Sequence, residues 1–103
     1  MYIVVFTTCA NKEEAQKISR ALVEKRLAAC VNILPQVESL FWWEGKVDSE
    51  QEFLLVIKSR AERFGKICAL VKSLHSYEVP EIISLPVSEG HQPYLQWIDE
   101  SLG

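Results

Sequence analysis

The stretch Val37–Lys58, VESLFWWEGKVDSEQEFLLVIK, decides the fold. Strand character resumes at Val37 and runs through Leu40–Trp43. Glu44-Gly45-Lys46 supplies a hairpin turn. The return strand runs from Val47 to Lys58, polar at first and strongly apolar over Phe53–Ile57. This ribbon is longer than a small sheet needs. Side chains alternate along a strand, so Trp42 and Trp43 point to opposite faces. One of them can reach the core; the other needs separate cover. A long exposed apolar edge is an aggregation hazard unless something pairs with it. The expected cover is another copy of this chain. A monomer in sedimentation at micromolar concentration would count against that reading.

Before the hairpin, Leu27–Leu34 is an apolar run too short for a packed helix, and it stops at Pro35. Proline has no N–H to donate, so a bulge or bend is expected there. Tyr2–Thr7 is apolar and β-branched, with no helical spacing, and reads as a strand buried on both faces near the sheet centre. Asn11 with Glu14 forms a capping box, and Ala15, Ile18, Ala21 and Leu22 share one face of a helix ending near Arg26. After the hairpin, Ser59 with Glu62 reads as a second capping box. Phe64, Ile67, Cys68, Val71 and Leu74 then recur at helical spacing. Glu81–Val87 is a fourth strand, with Pro86 marking an edge or a strand end. Pro93 suits the first turn of a last helix, pinned by Tyr94, Leu95 and Ile98.

The order is β-α-β-β-α-β plus a C-terminal helix, the split βαβ or ferredoxin-like arrangement of the α+β class. An antiparallel sheet with two helices on one face is expected, with residues 1–103 forming a single domain.

Composition narrows the function. Hydrophobic residues make up 49% of the chain, enough for a real core. The net charge of −3, with cations scattered among more numerous acids, argues against a nucleic-acid partner. No apolar run is long enough to span a membrane, and Met1 leads almost directly into Ile3–Phe6 with no leader pattern. Cys9, Cys30 and Cys68 are odd in number and widely spaced, which does not read as a disulfide framework. A reducing, cytoplasmic location is expected.

Few residues carry chemistry. Transition-metal sites want imidazole and thiolate at converging positions, and this chain offers only His75, His91 and three separated cysteines. No CxxC, HxH or HExxH spacing occurs. Cys68 lies in an apolar helical stripe and Cys30 in a buried-looking strand, so both read as packing residues. His75 ends a helix, where a structural role and a ligand role weigh about equally. No nucleophile elbow or P-loop appears, so no enzymatic activity is expected. Lys58, Tyr77, Glu81, Tyr94 and Trp97 sit near the ends of elements that should meet and are candidates for an inter-subunit cleft, with a plain Lys58–Glu81 ion pair as the simpler reading.

Four segments in order resemble one family. They are LAACVNI at 27–33, WWEGKV at 42–47, EFLLVIK at 52–58, and HSYEVPEI at 75–82 followed by LPV at 85–87 and YLQWI at 94–98. Together they resemble the CutA divalent-cation tolerance family over about Ile3 to Ile98. The resemblance implies a ferredoxin-like homotrimer joined through its long hairpins, similar in shape to PII signalling proteins. It also implies a role in tolerance of divalent metals, with no catalytic reaction and no required cofactor. Copper, or another divalent cation, is the implied ligand, and a further protein partner is open. The family's copper positions fall on Thr7, Leu74 and His75, of which only His75 has a copper-binding side chain. Cys9, two residues after Thr7, shares its face if the strand continues, so Cys9 and His75 are the candidate metal ligands. The family commonly has proline where Ser76 stands.

Overall fold

A computed structural model describes residues 1–103. The chain runs β1 (Tyr2–Cys9), α1 (Lys12–Glu24), β2 (Cys30–Trp43), β3 (Lys46–Arg60), a short 3-10 turn (Ala61–Arg63), α2 (Phe64–Leu74), β4 (Ile83–Pro86) and α3 (Gln92–Leu102). The four strands form one antiparallel sheet in the order β2-β3-β1-β4. This is the ferredoxin-like α+β arrangement with a C-terminal helix.

Register sorts the side chains. Ile3, Val5, Thr7 and Cys9 stand opposite Ser59, Ile57, Leu55 and Phe53. Ile18 and Leu22 of α1 and Ile67 and Val71 of α2 complete a fully buried core on that face. The expectation that β1 is buried on both faces is corrected. Its other face carries Tyr2, Val4 and Phe6, which are only half-buried, because no helix covers the middle of that side. Leu34, Leu54, Val56, Ile83 and Leu85 lie on the same open face by register, every one of them partly or fully exposed.

The first helix starts as its sequence dictates. The Glu14 N–H donates to Asn11 Oδ1 at 2.8 Å, and the Glu14 carboxylate accepts from the Ala10 N–H at 3.1 Å. It ends in a Schellman motif with Arg26 at φ 56°: the Leu27 N–H reaches Leu22 O and the Arg26 N–H reaches Val23 O. That turn consumes Leu27–Ala29, so β2 starts at Cys30 rather than at Leu27. The second capping box does not form. β3 continues through Arg60, which turns Ser59 inward. Its buried Oγ donates to Leu27 O at 2.6 Å, and Glu62 pairs instead with Arg60.

The Pro35 bulge is present: pairing with β3 shifts between Leu34 and Val37, and Gln36 takes φ 59°. The hairpin closes with Glu44 at φ 48° and Gly45 at φ 81°, the pair of left-handed residues that a two-residue turn matching strand twist requires. The long axis of 45 Å matches the roughly 46 Å that a strand of β2's length spans. Neither tryptophan finds the core. Trp42 is 76% and Trp43 58% exposed, because the ribbon beyond the bulge outruns the helices. β4 is shorter than Glu81–Val87, leaving Glu81 in a loop, and it ends at Pro86 on the sheet edge.

Candidate functional site

β1 does continue to Cys9, which shares Thr7's face. That places its thiol at the start of α1 and beside the loop after α2. Cys9 Sγ, a Glu14 carboxylate oxygen and a His75 ring nitrogen lie within 4.8 Å of one another. The sequence-expected pair is therefore brought together, with Glu14 as an unforeseen third member. Glu14 was legible only as a cap, since nothing in the spacing joins it to residues some sixty positions away.

Two of the three members are already engaged. The Tyr77 N–H donates to His75 Nδ1 at 3.0 Å, so the other ring nitrogen carries the proton, and Nε2–H donates to Thr8 O at 2.7 Å. The imidazole is fully enclosed. Glu14 accepts from the Ala10 and Ser76 N–H groups and stands 3.9 Å from His75 Nδ1. Proline has no N–H, so serine at position 76 is what lets this carboxylate tie down the loop. The backbone bonds hold the Glu14 carboxyl below its usual range against the opposing effect of burial, the largest single influence on it. Burial first, then the charges of Glu14 and Glu52, pushes the Cys9 thiol up to about 12. A thiol held protonated is a poor metal ligand. The donor set has the chemistry of a soft-metal site, but in this arrangement it fits a resident copper poorly. The other family positions offer no replacement. Thr7 is wholly buried with its hydroxyl unbonded, and Leu74 packs against the core.

The cleft candidates separate into groups. Tyr77 and Glu81 line one cleft of about 770 Å³ with Trp43 and Glu52. The Tyr77 hydroxyl donates to Glu52 at 2.8 Å; burial, then this bond, drives the phenol pKa upward. Lys58 is not in that cleft and does not pair with Glu81. It lies within β3 and donates to Asn32 Oδ1 across the β2–β3 ladder. Tyr94 does not pin α3; it is exposed and stacks on Trp97 with ring centroids 5.6 Å apart. Leu95, Ile98 and Leu102 pin the helix instead.

The polar anchor of α3 was not foreseen. The Tyr2 hydroxyl and Arg60 both donate to Asp99 at 2.6 Å, and the Arg60 guanidinium lies 5.0 Å from the Tyr2 ring centroid. The bond from Tyr2, then Arg60, holds the Asp99 carboxyl below its usual range. A depressed carboxyl stabilises the fold above its unfolded pKa, and that contribution disappears as pH falls through the folded value. The amide signals of α3 should therefore shift as pH drops below the ordinary aspartate value of about 3.9. Asp99→Asn should remove that dependence; an unchanged titration in the variant would show that another group governs it.

Known proteins share this architecture throughout. The family model for the CutA1 divalent ion tolerance protein matches residues 3–101. The structure of the periplasmic divalent cation tolerance protein CutA from Archaeoglobus fulgidus is similar at a TM-score of 0.97 and 43% identity, with both chains covered in full. The Cut A1 divalent cation tolerance protein from Thermus thermophilus is similar at 0.97 and 48%, again with full coverage of both. Human Protein CutA is 48% identical over 93 residues, which is 90% of this chain and 52% of the human one. The chain thus spans about half the length of that mammalian relative. These names denote a tolerance protein rather than an enzyme class. No helix is long and apolar enough to cross a membrane. A match from residue 3 to residue 101, carried through every strand and helix of the sheet, establishes that the chain belongs to the CutA1 divalent ion tolerance family.

Proposed function

We propose that this protein acts as a non-enzymatic homotrimer in the cell's response to divalent cations, copper among them. The observation that carries self-association is the open sheet face. Val4, Phe6, Leu34, Leu54, Val56, Ile83 and Leu85 form a contiguous apolar surface that no element of the chain covers completely. A surface of this kind on a protein of 103 residues marks an interface. Three is the copy number that the family resemblance implies. Sedimentation equilibrium at micromolar concentration should give three times the chain mass of 11.8 kDa. A single-chain mass would overturn the reading. The three free cysteines support a reducing, cytoplasmic setting.

Copper binding at Cys9 and His75 is the finer part of the proposal, and it is weak. Binding would displace the Cys9 proton and one of the two hydrogen bonds of His75. Because the thiol proton leaves, affinity should rise with pH, by up to about tenfold per unit below the thiol pKa. Anaerobic calorimetric titration at pH 6, 7 and 8, with zinc as a redox-silent comparison, measures this. Binding that is tight and flat with pH would exclude Cys9 as a ligand, and binding unchanged in Cys9→Ser would do the same.

A second reading is a PII-like trimer that binds a small ligand in its clefts. The shared cleft of Tyr77, Glu81, Trp43 and Glu52 favours it. The same calorimeter, loaded with nucleotides and organic acids, separates the two.

A further inference from the structure

Resting on the second reading above, that the Tyr77 cleft takes a small ligand, we propose that this ligand is an extended organic polycation, an aliphatic diamine or polyamine. The cleft lies between the base of the hairpin and the loop after α2. Five of its 12 lining residues are carboxylates, and none is Lys, Arg or His. Asp48, Glu50 and Glu52 stand at alternate positions of β3, roughly 7 Å apart along one face. Glu78 and Glu81 come from the loop, and none of the five is in an ion pair within the chain.

Surface carboxylates are common without a ligand, so the buried groups decide. Glu52 is 7% exposed, yet its carboxylate accepts a single bond, from the Tyr77 hydroxyl to Oε2. Buried carboxylates are ordinarily paired with a cation, and this one has none. Thr8 is 9% exposed, and its hydroxyl bonds to nothing in the chain. The unbonded side-chain atoms sealed from solvent are Thr7 Oγ1 and Ser19 Oγ alone. Glu52 Oε1 and Thr8 Oγ1 are therefore both reachable, and both residues line this cleft from the open face of the sheet. Both oxygens can accept from an ammonium group.

The spread of the carboxylates selects an extended cation over a metal ion. The one group of three metal-ligating side chains within 4.8 Å of one another is Cys9, Glu14 and His75, on the other face. No single ion can collect the cleft carboxylates, whereas ammonium groups strung on a methylene chain can reach several. Phe41, Trp43 and Tyr77 supply aromatic walls that attract a cation and cover its methylenes. An anion would meet five carboxylates and no counter-charge. None of the apolar residues assigned above to the subunit interface lines the cleft.

Amide-resolved NMR titration of the intact protein with spermidine tests this, with butylamine, magnesium, ATP and citrate in separate samples. Spermidine should shift the amides of Thr8, Asp48–Glu52 and Tyr77–Val79 saturably. Butylamine and magnesium should each bind at least about tenfold more weakly, since neither can bridge separated carboxylates. Glu52→Gln keeps the shape of the side chain and its bond from Tyr77, and should weaken spermidine binding by about tenfold. Glu50→Gln, at an exposed position where folding is not at issue, should weaken it by about threefold. Magnesium acting as strongly as spermidine, or unchanged affinity in both variants, would overturn the proposal. Cleft amides that answer to ATP or citrate but not to spermidine would overturn the cationic class and keep the small-ligand reading. Amides that answer to no probe would overturn both, as they would if a second copy of the chain filled the cleft.

Discussion

Ile83→Asp should convert the proposed homotrimer to folded monomers. Ile83 is 51% exposed in the single chain and lies beside Phe6 on the open sheet face. A carboxylate there meets water when the chain is alone, so the far-ultraviolet spectrum should stay native. In the assembly the same group would be buried against apolar surface without a partner. Such burial costs about 3 kcal/mol or more per site. Three equivalent contacts weakened by that amount lower the association constant by roughly six powers of ten. Sedimentation should then report the chain mass rather than three times it. A variant that still sediments as the wild type would show that copies meet through another surface, with the exposed tryptophans of the hairpin the next candidates.

His75→Ala should cost about 3 kcal/mol of stability, whatever metal is present. The ring bridges Thr8 O and the Tyr77 N–H, and so ties the loop after α2 to the end of β1. Alanine orphans both backbone groups and leaves a void where an enclosed ring stood. Ser76 keeps its bond to Glu14, so the loop should loosen rather than detach. His75→Gln, with an amide able to replace one of the two bonds, should recover part of the loss. Chemical denaturation of the three proteins in chelator measures this. A His75→Ala variant as stable as wild type would refute the structural role and leave ligation as the reason for the residue.

The order of strands and helices along the chain and the two core helices were legible because their signals are local. The apolar run Phe53–Ile57 lies within β3, and the helical spacing in Phe64–Leu74 is that of α2. The bulge was legible because proline cannot donate. What failed were features in which a side chain had a choice of partner. Ser59 and Glu62 have the composition of a cap, but the strand ran on and the core offered Ser59 a carbonyl from Leu27. Lys58 chose Asn32 on the adjacent strand over Glu81. The candidate site was half legible. Cys9 and His75 converge as their placement in the topology suggested, while Glu14 joined from a helix start. What no sequence pattern revealed is that the imidazole's two nitrogens are both taken. That depends on the path of the backbone at Tyr77, which is tertiary information.

The bulge also sets the parity of the hairpin. Before it, even-numbered residues of β2 lie on the open face: Asn32 opposite Val56 and Leu34 opposite Leu54. After it, odd-numbered residues take over: Val37 opposite Glu52, Ser39 opposite Glu50 and Phe41 opposite Asp48. Pro35 and Gln36 together thus shift the phase of every side chain that follows. Deleting Gln36 alone would keep each tryptophan in the sequence and exchange the sides on which the two of them stand. Two exposed residues outside the core therefore determine which aromatic surface each side of the ribbon presents to its surroundings.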